Sequence, residues 1–418
     1  IEVTRFNEAD GASPAIPIVI HFGADVDPTQ LVDQAGLAGS LESNAAIALF
    51  DLDSGERVPC LSEMDQNQRF DDYAGRHALV VRPMVPMQMG HRHAVALRAG
   101  LRAADGNDFP APPGFAALRD GVPTDHPALE AARDDYEEIF DFLDGAGFAR
   151  EDLLLAFDFA VASDEHLLGP ILSMREQAYA ALAAEGHHYQ ITRLEPDPND
   201  DTALIVEGDY QVPCFLDAEN RIHRGADGLV IRQDDCSFPF TVIIPKVAHS
   251  QSELRLTLFG HGIFGSGRDY LTGGLGTAIL QPLAQRGESV VAATDWIGLS
   301  DGDLDLIIAE VVGDLNRIHV VTDRLQQALI NNLVLLDLVQ TSLQHDPALD
   351  LGHPPLLAPG EVGYYGVSLG GIQGTSLTGL SRDVRRAVVA VPGGAWSTML
   401  PRSSLRRRRV AIWSFYSR

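Results

Sequence analysis

The residues best placed for covalent chemistry are Gly366-Val367-Ser368-Leu369-Gly370, followed at once by Gly371. A serine hydroxyl is a weak nucleophile until a base takes its proton. The G-x-S-x-G spacing presents such a hydroxyl when a strand runs into it and a helix leaves it, because small residues on both sides permit the tight turn. Here the apolar run Val362-Gly363-Tyr364-Tyr365 precedes the motif, and a helical pattern over 368–380 follows it. The chemistry expected is acyl transfer through Ser368, with a helix N-terminus aimed at the developing anion. The competing reading is a serine that caps a helix after a glycine turn.

A second segment supports the first. Phe259-Gly260-His261-Gly262-Ile263-Phe264-Gly265-Ser266-Gly267 closes the strand-like run Leu254 to Phe259. A glycine-rich loop at that place turns backbone N–H groups toward an oxyanion. The donors expected are the Gly262 region and the Leu369 N–H, the residue after the nucleophile. His261 is read as orienting the loop, not as the general base. A phosphate loop is disfavoured because the G-K-[ST] ending is missing.

In chain order GHGIFGSG, VVAATDWIGLS, GYYGVSLGG and AVVAVPGG resemble the α/β-hydrolase fold. More narrowly, the sequence is similar to bacterial secreted or lipoprotein lipase/esterase-like hydrolases with an N-terminal Ig-like domain. The turns in ALFDLDSGERVP and GLRAADG are similar to those front domains. The resemblance implies a Ser-His-Asp/Glu hydrolase of carboxylic esters that uses no cofactor. It implies a small-molecule or lipid ester substrate and a secreted or cell-envelope location. It also implies Asp295 and Trp296 at the mouth of the site, without a catalytic role.

The sequence departs from that pattern after Ser368. The acid and the histidine of this fold follow the nucleophile in chain order. The 50 residues after Ser368 contain no His, and Asp383 is their only acidic residue. Asp383 lies in SRDVRR, where a surface role is expected. His319, His345 and His353 all precede Ser368; His345 and His353 fall in a polar connection, and His319 in a long helical region. None is expected to serve as the base. The last residues, Leu405 to Arg418, read LRRRRVAIWSFYSR, with five Arg and no acid. This basic tail reads as a frameshift product or truncation scar, the alternative being a basic segment for an acidic partner or membrane.

The elements that must hold these segments change character along the chain. Runs such as Ala15–Phe22, Ala45–Asp51, Ala78–Arg82 and Ala94–Arg98, separated by Gly, Pro and Asp, predict a β-sandwich. A helix led by Pro127 carries Leu129, Tyr136, Ile139, Phe140 and Leu143 on one stripe. Beyond about Tyr189, strands alternate with helices and are nearly continuously apolar, which predicts an α/β parallel-type sheet. The expected organisation is an Ig-like sandwich over 1–165 with a helical insertion, a linker helix over 166–190, and an α/β-hydrolase domain over 191–418 whose C-terminal part looks truncated. Leu194–Thr202 (LEPDPNDDT) reads as the best loop or linker.

Composition narrows the function. The formal net charge of -27 repels phosphate backbones, so nucleic acid is a poor partner. No run of 18 or more apolar residues is present, so no transmembrane helix is expected. Cys214 and Cys236 bracket a polar excursion, and a disulfide or two free thiols both fit. Asp301, Asp303 and Asp305 resemble the start of a calcium loop, but Leu306 and Val312 replace the required Gly and Glu, leaving a solvated acidic loop. His91 and His93 would share one face of a strand, but a zinc site needs more ligands, so with His77 they read as surface histidines. No metal is expected. Two other functions remain open: a catalytically dead surface binding or adhesion protein on a hydrolase scaffold, and a peptidase or amidase on the same fold.

Overall fold

A computed structural model describes residues 9–65 and 77–393. The chain divides into two compact units, Val3–Leu167 and Leu168–Arg418, the second also taking in Ile1–Glu2. The basic segment 405–418 lies outside the described residues.

In the first unit, β1 (Ile18–Ile20), β2 (Ile47–Asp51), β3 (Arg57–Val58), β4 (Cys60–Met64), β5 (Leu79–Pro83) and β6 (Arg92–Arg98) precede α1 (Pro113–Arg119), α2 (Pro127–Ala131), α3 (Arg133–Gly145) and β7 (Leu153–Ala160). They form two antiparallel sheets, β1-β5-β4 and β3-β2-β6-β7. Alternation along each strand sends every second side chain into a common core: Ile18 and Ile20 of β1 and Leu79 and Val81 of β5 join Leu49, Val95 and Leu97 of the larger sheet. The intervening residues Ala48, Phe50, Ala96 and Ala156 face the other way and pack on Phe115, Ile139, Phe140 and Leu143 of the helices. The β2–β6–β7 sheet is therefore buried on both faces along 47–50 and 94–97, where its central strands are apolar.

Helix α4 (Asp164–Glu185) places Met174 and Ala178 in the core of the second unit. The region expected to be only a linker is thus largely a packed layer. The second unit then runs β8 (Tyr189–Pro196), β9 (Thr202–Pro213), β10 (Asp235–Pro245), β11 (Leu254–Gly260), α5 (Gly267–Thr272), α6 (Gln281–Arg286), β12 (Ser289–Thr294), α7 (Leu304–Leu306), α8 (His319–Thr341), β13 (Leu357–Val367), α9 (Leu369–Leu380) and β14 (Arg386–Ala390). Its sheet has the order β14-β13-β11-β12-β10-β9-β8.

Only half of this sheet is parallel. β12, β11, β13 and β14 pair in parallel, whereas β8, β9, β10 and β12 pair antiparallel. Apolar continuity predicts a parallel sheet because it reports burial on both faces, and here the antiparallel β9 and the second half of β10 are covered too. Val206, Val242, Leu256, Ala292 and Val362 face α8, where Leu329, Leu333 and Leu336 are buried. Ile205, Ile243, Phe259 and Val291 face Leu271, Leu280 and Ala284 on the opposite side. The 194–202 stretch is not a linker: it ends β8 and turns into β9, with Asp197 N–H donating to Ala203 O at 2.7 Å. Its Pro and Asp residues serve a hairpin turn, which has the same composition as a linker. Cys214 and Cys236 form a disulfide, closing the excursion between β9 and β10.

Candidate active site

Ser368 stands between the last residue of β13 and the first of α9, at the helix N-cap position. Its backbone has φ 56° and ψ −110°, a left-handed conformation that a side-chain-bearing residue adopts at a cost of about 1–3 kcal/mol. Its side chain makes no capping hydrogen bond to the helix. Two backbone hydrogen bonds hold the turn: Ser368 N–H donates to Ala390 O at 3.0 Å, and Gly370 N–H donates to His261 O at 2.8 Å. Leu369 opens the helix, where its N–H has no carbonyl one turn earlier within the helix.

The glycines around Ser368 are set by close approach. A Cβ on Gly370 would lie 2.1 Å from Gly260 O, and one on Gly366 would lie 2.2 Å from Gly370 O. The buried Tyr364 ring fills the space between strand and helix, and its hydroxyl donates to Gly370 O. The glycine-rich loop reaches the same point, because a Cβ on Gly262 would lie 3.7 Å from Ser368 Cβ. Parallel pairing explains the meeting: Gly260 is the register partner of Gly366, so the ends of β11 and β13 deliver both loops to one edge of the sheet.

His261 is fully buried. Its Nδ1 lies 2.8 Å from Gly262 O, and its Nε2 accepts from Trp296 N–H at 2.7 Å. Nδ1 must therefore carry the proton. Burial lowers its pKa, which keeps the ring neutral. Both ring nitrogens are engaged by backbone groups, so the imidazole ties the 261–262 loop to Trp296. Among the described residues no imidazole is hydrogen-bonded to the Ser368 hydroxyl.

Asp295 follows β12, and its Oδ1 accepts from Gly267 N–H at 2.8 Å. Burial raises its pKa to about 6; the Gly267 hydrogen bond opposes that shift, and Asp301, Asp303 and Asp269 add to it. Asp295 lines a cavity of about 310 Å³ together with Glu207, Asp209, Ser266, Arg268 and Asp269. Ser368 is not among the residues lining it. Trp296 is completely buried in the core on the α8 face, not set at a mouth.

The 301–305 stretch also differs from a solvated loop. Asp303 is buried, accepting from Gly298 N–H, Ser300 N–H and the Ser300 hydroxyl, and pairing with Arg324. Asp301 and Asp305 remain exposed. No feature of the local sequence marks Asp303 for burial, since Arg324 reaches it from α8.

No protein-family model matches the sequence, and no curated protein does. Solved structures do. The chain is similar to an acetyl xylan esterase from Paenibacillus sp. R4 (17% identity, TM-score 0.31, covering 58% of this chain and 71% of that one). It is similar to acetyl xylan esterase 1 from Thermoanaerobacterium sp. JW/SL YS485 (13% identity, TM-score 0.35, 59% and 68%). It is also similar to the rice cell wall degrading esterase LipA from Xanthomonas oryzae (11% identity, TM-score 0.27, 49% and 49%). The chain spans about half the length of several structures it matches. Likeness at this level assigns no residue a role and no substrate.

Proposed function

We propose that the second unit is a serine hydrolase of carboxylic esters, with the α/β-hydrolase arrangement that the sequence resembles. The observation that carries this reading is the Ser368 backbone: φ 56° at a helix N-cap position whose side chain caps nothing. A serine kept only for capping would adopt extended backbone and accept a hydrogen bond from the first turn. In the proposed mechanism Ser368 Oγ attacks the ester carbonyl. Leu369 N–H and a Gly262 N–H hold the tetrahedral oxyanion. Collapse expels the alcohol and leaves an acyl-enzyme, which water then hydrolyses. The base that would accept the Ser368 proton is not supplied by His261, whose two nitrogens are engaged.

The second reading, a binding module on a hydrolase scaffold, is favoured by the lack, among the described residues, of an imidazole hydrogen-bonded to the Ser368 hydroxyl. One experiment separates the two. A fluorophosphonate probe needs an activated serine, and p-nitrophenyl acetate hydrolysis needs turnover. If Ser368 is the nucleophile, the probe labels this chain and Ser368→Ala abolishes labelling. A serine with its base in place also turns the ester over, whereas a subtilisin-like triad without its histidine loses about 10⁶-fold in kcat. Absence of labelling refutes the hydrolase reading, and labelling with efficient turnover refutes the binding-module reading.

Substrate profiling with matched ester and amide leaving groups separates an esterase from a peptidase or amidase. The Ig-like identity of the first unit and an exported location belong to the same proposal. The Cys214–Cys236 disulfide supports export, since such bonds persist in oxidising compartments.

A further inference from the structure

The end of β2 and the start of β6 hold a polar cluster that the proposed hydrolase does not use. Asp51 and His93 are register partners across the two strands. His91, two residues before His93, lies on the same face by strand alternation. Asp53 follows in the turn, and one ligand atom each from Asp51, Asp53 and His91 falls within 4.8 Å of the others. Acidic turns often look like this without holding an ion, so a further observation is needed.

His93 provides it. Its side chain is 0% exposed, and its Nε2 has no hydrogen-bond partner. Its Nδ1 faces His91 O at 3.4 Å, which puts the ring proton on Nδ1 and leaves the Nε2 lone pair bare. That lone pair faces Asp51 Oδ2 at 3.9 Å. The Asp51 carboxylate accepts from the Asp53 and Ser54 N–H groups and lies 2.9 Å from His91 Nδ1. A bare imidazole lone pair and a carboxylate oxygen therefore confront each other across a gap that no hydrogen bond bridges. An unpartnered buried donor or acceptor destabilises the fold. A cation at the gap would satisfy both at once. Two metal–ligand bonds of about 2.1 Å span up to about 4.2 Å, so one ion reaches both atoms.

We propose that the first unit carries a binding site for a divalent first-row transition cation of the zinc class, formed by His93 Nε2 and the Asp51 carboxylate, with His91 and Asp53 bracing that carboxylate from the solvent side. Imidazole with carboxylate is the donor set that suits zinc, nickel and cobalt; magnesium and calcium prefer oxygen alone. His91 Nδ1 lies 2.9 Å from Asp51 Oδ2 and orients the carboxylate that would hold the ion. Bound there, the ion would staple the end of β2 to the start of β6.

The test uses the full chain, stripped with a chelator and titrated with ZnCl₂ by calorimetry and with CoCl₂ by visible absorption. One tight equivalent is expected, with a raised Tm. His93→Phe keeps an aromatic ring beside Phe159, which the imidazole now stacks on at 6.1 Å, and should weaken binding at least ~100-fold. His91→Gln changes a half-exposed side chain, does not threaten folding, and should weaken it ~10–100-fold. His77→Gln, at a separate His–Asp pair, should leave it unchanged. No tight equivalent in the native chain, or native affinity retained in His91→Gln or in folded His93→Phe, overturns the proposal and leaves a water-filled polar turn.

Discussion

The surroundings of Ser368 and the Asp51–His91–His93 cluster both lie at strand ends, yet they are built by opposite means. Around Ser368 the backbone does the positioning: glycines let strand, loop and helix approach within contact, and the few side chains present, Tyr364 and His261, bond to carbonyls and N–H groups. At the Asp51 cluster the backbone is ordinary antiparallel sheet, and the chemistry comes from side chains that register brings together. A backbone-made site should fail when any atom is added to it. A side-chain-made site should tolerate substitution in its fold and lose only what the side chains bind.

The largest expected effect tests the first half of that contrast. Gly370→Ala would set a Cβ 2.1 Å from the Gly260 carbonyl oxygen. The neighbour is backbone on a central strand and cannot swing away, so we expect a loss of about 3 kcal/mol or more. All three Trp of the chain, Trp296, Trp396 and Trp413, lie beyond residue 168, so fluorescence-detected urea unfolding reads the second unit alone. His91→Gln, followed by a probe of the first unit without added metal, should change stability by less than about 1 kcal/mol. Equal costs for the two variants would dissolve the distinction.

The contrast also explains what was legible beforehand. Tight approach can be met only by glycine, so Gly366, Gly370 and the 260–267 loop advertise themselves as spacing along the chain. Register does not. His93 and Asp51 are far apart in sequence, and nothing in RHAVALR distinguishes a buried, unpartnered imidazole from a surface one; reading the histidines as exposed missed the cluster. Asp303 was missed for the same reason, since its partner Arg324 arrives from α8. The mixed sheet eluded the apolar pattern because that pattern reports two-sided burial and carries no strand direction.

A smaller effect is expected at Asp295, where the two modes meet: its carboxylate holds the loop through the Gly267 N–H. Its folded pKa of about 6 lies above the ordinary aspartate value of about 3.9. The folded state therefore binds more protons across that window, so the contribution of Asp295 is greatest below about pH 4 and is lost as pH rises through 6. Two units correspond to about 3 kcal/mol at most. Asp295→Asn keeps an acceptor for Gly267 but removes the charge, and should gain about 1–2 kcal/mol at pH 7 once the weaker hydrogen bond is discounted. It should also flatten the pH dependence of urea midpoints between 4 and 7. An unchanged slope would mean that Asp295 is solvated well enough to ionise freely.

The smallest effect is the sharpest for function. Ser368 stores strain at φ 56° and contributes no cap. Glycine accepts that conformation without a Cβ penalty but loses about 0.5–1 kcal/mol more backbone entropy on folding. Relief of about 1–3 kcal/mol of strain should therefore leave Ser368→Gly more stable than the native chain by roughly 1 kcal/mol. Ser368→Ala retains the Cβ and should stay within about 0.5 kcal/mol of native. A gain with glycine and none with alanine would locate the cost in the backbone that presents the hydroxyl, which is what a nucleophile requires and a helix cap does not. A clear loss in both variants would mean that the hydroxyl stabilises the fold, and the case for Ser368 as a presented nucleophile would fall with it.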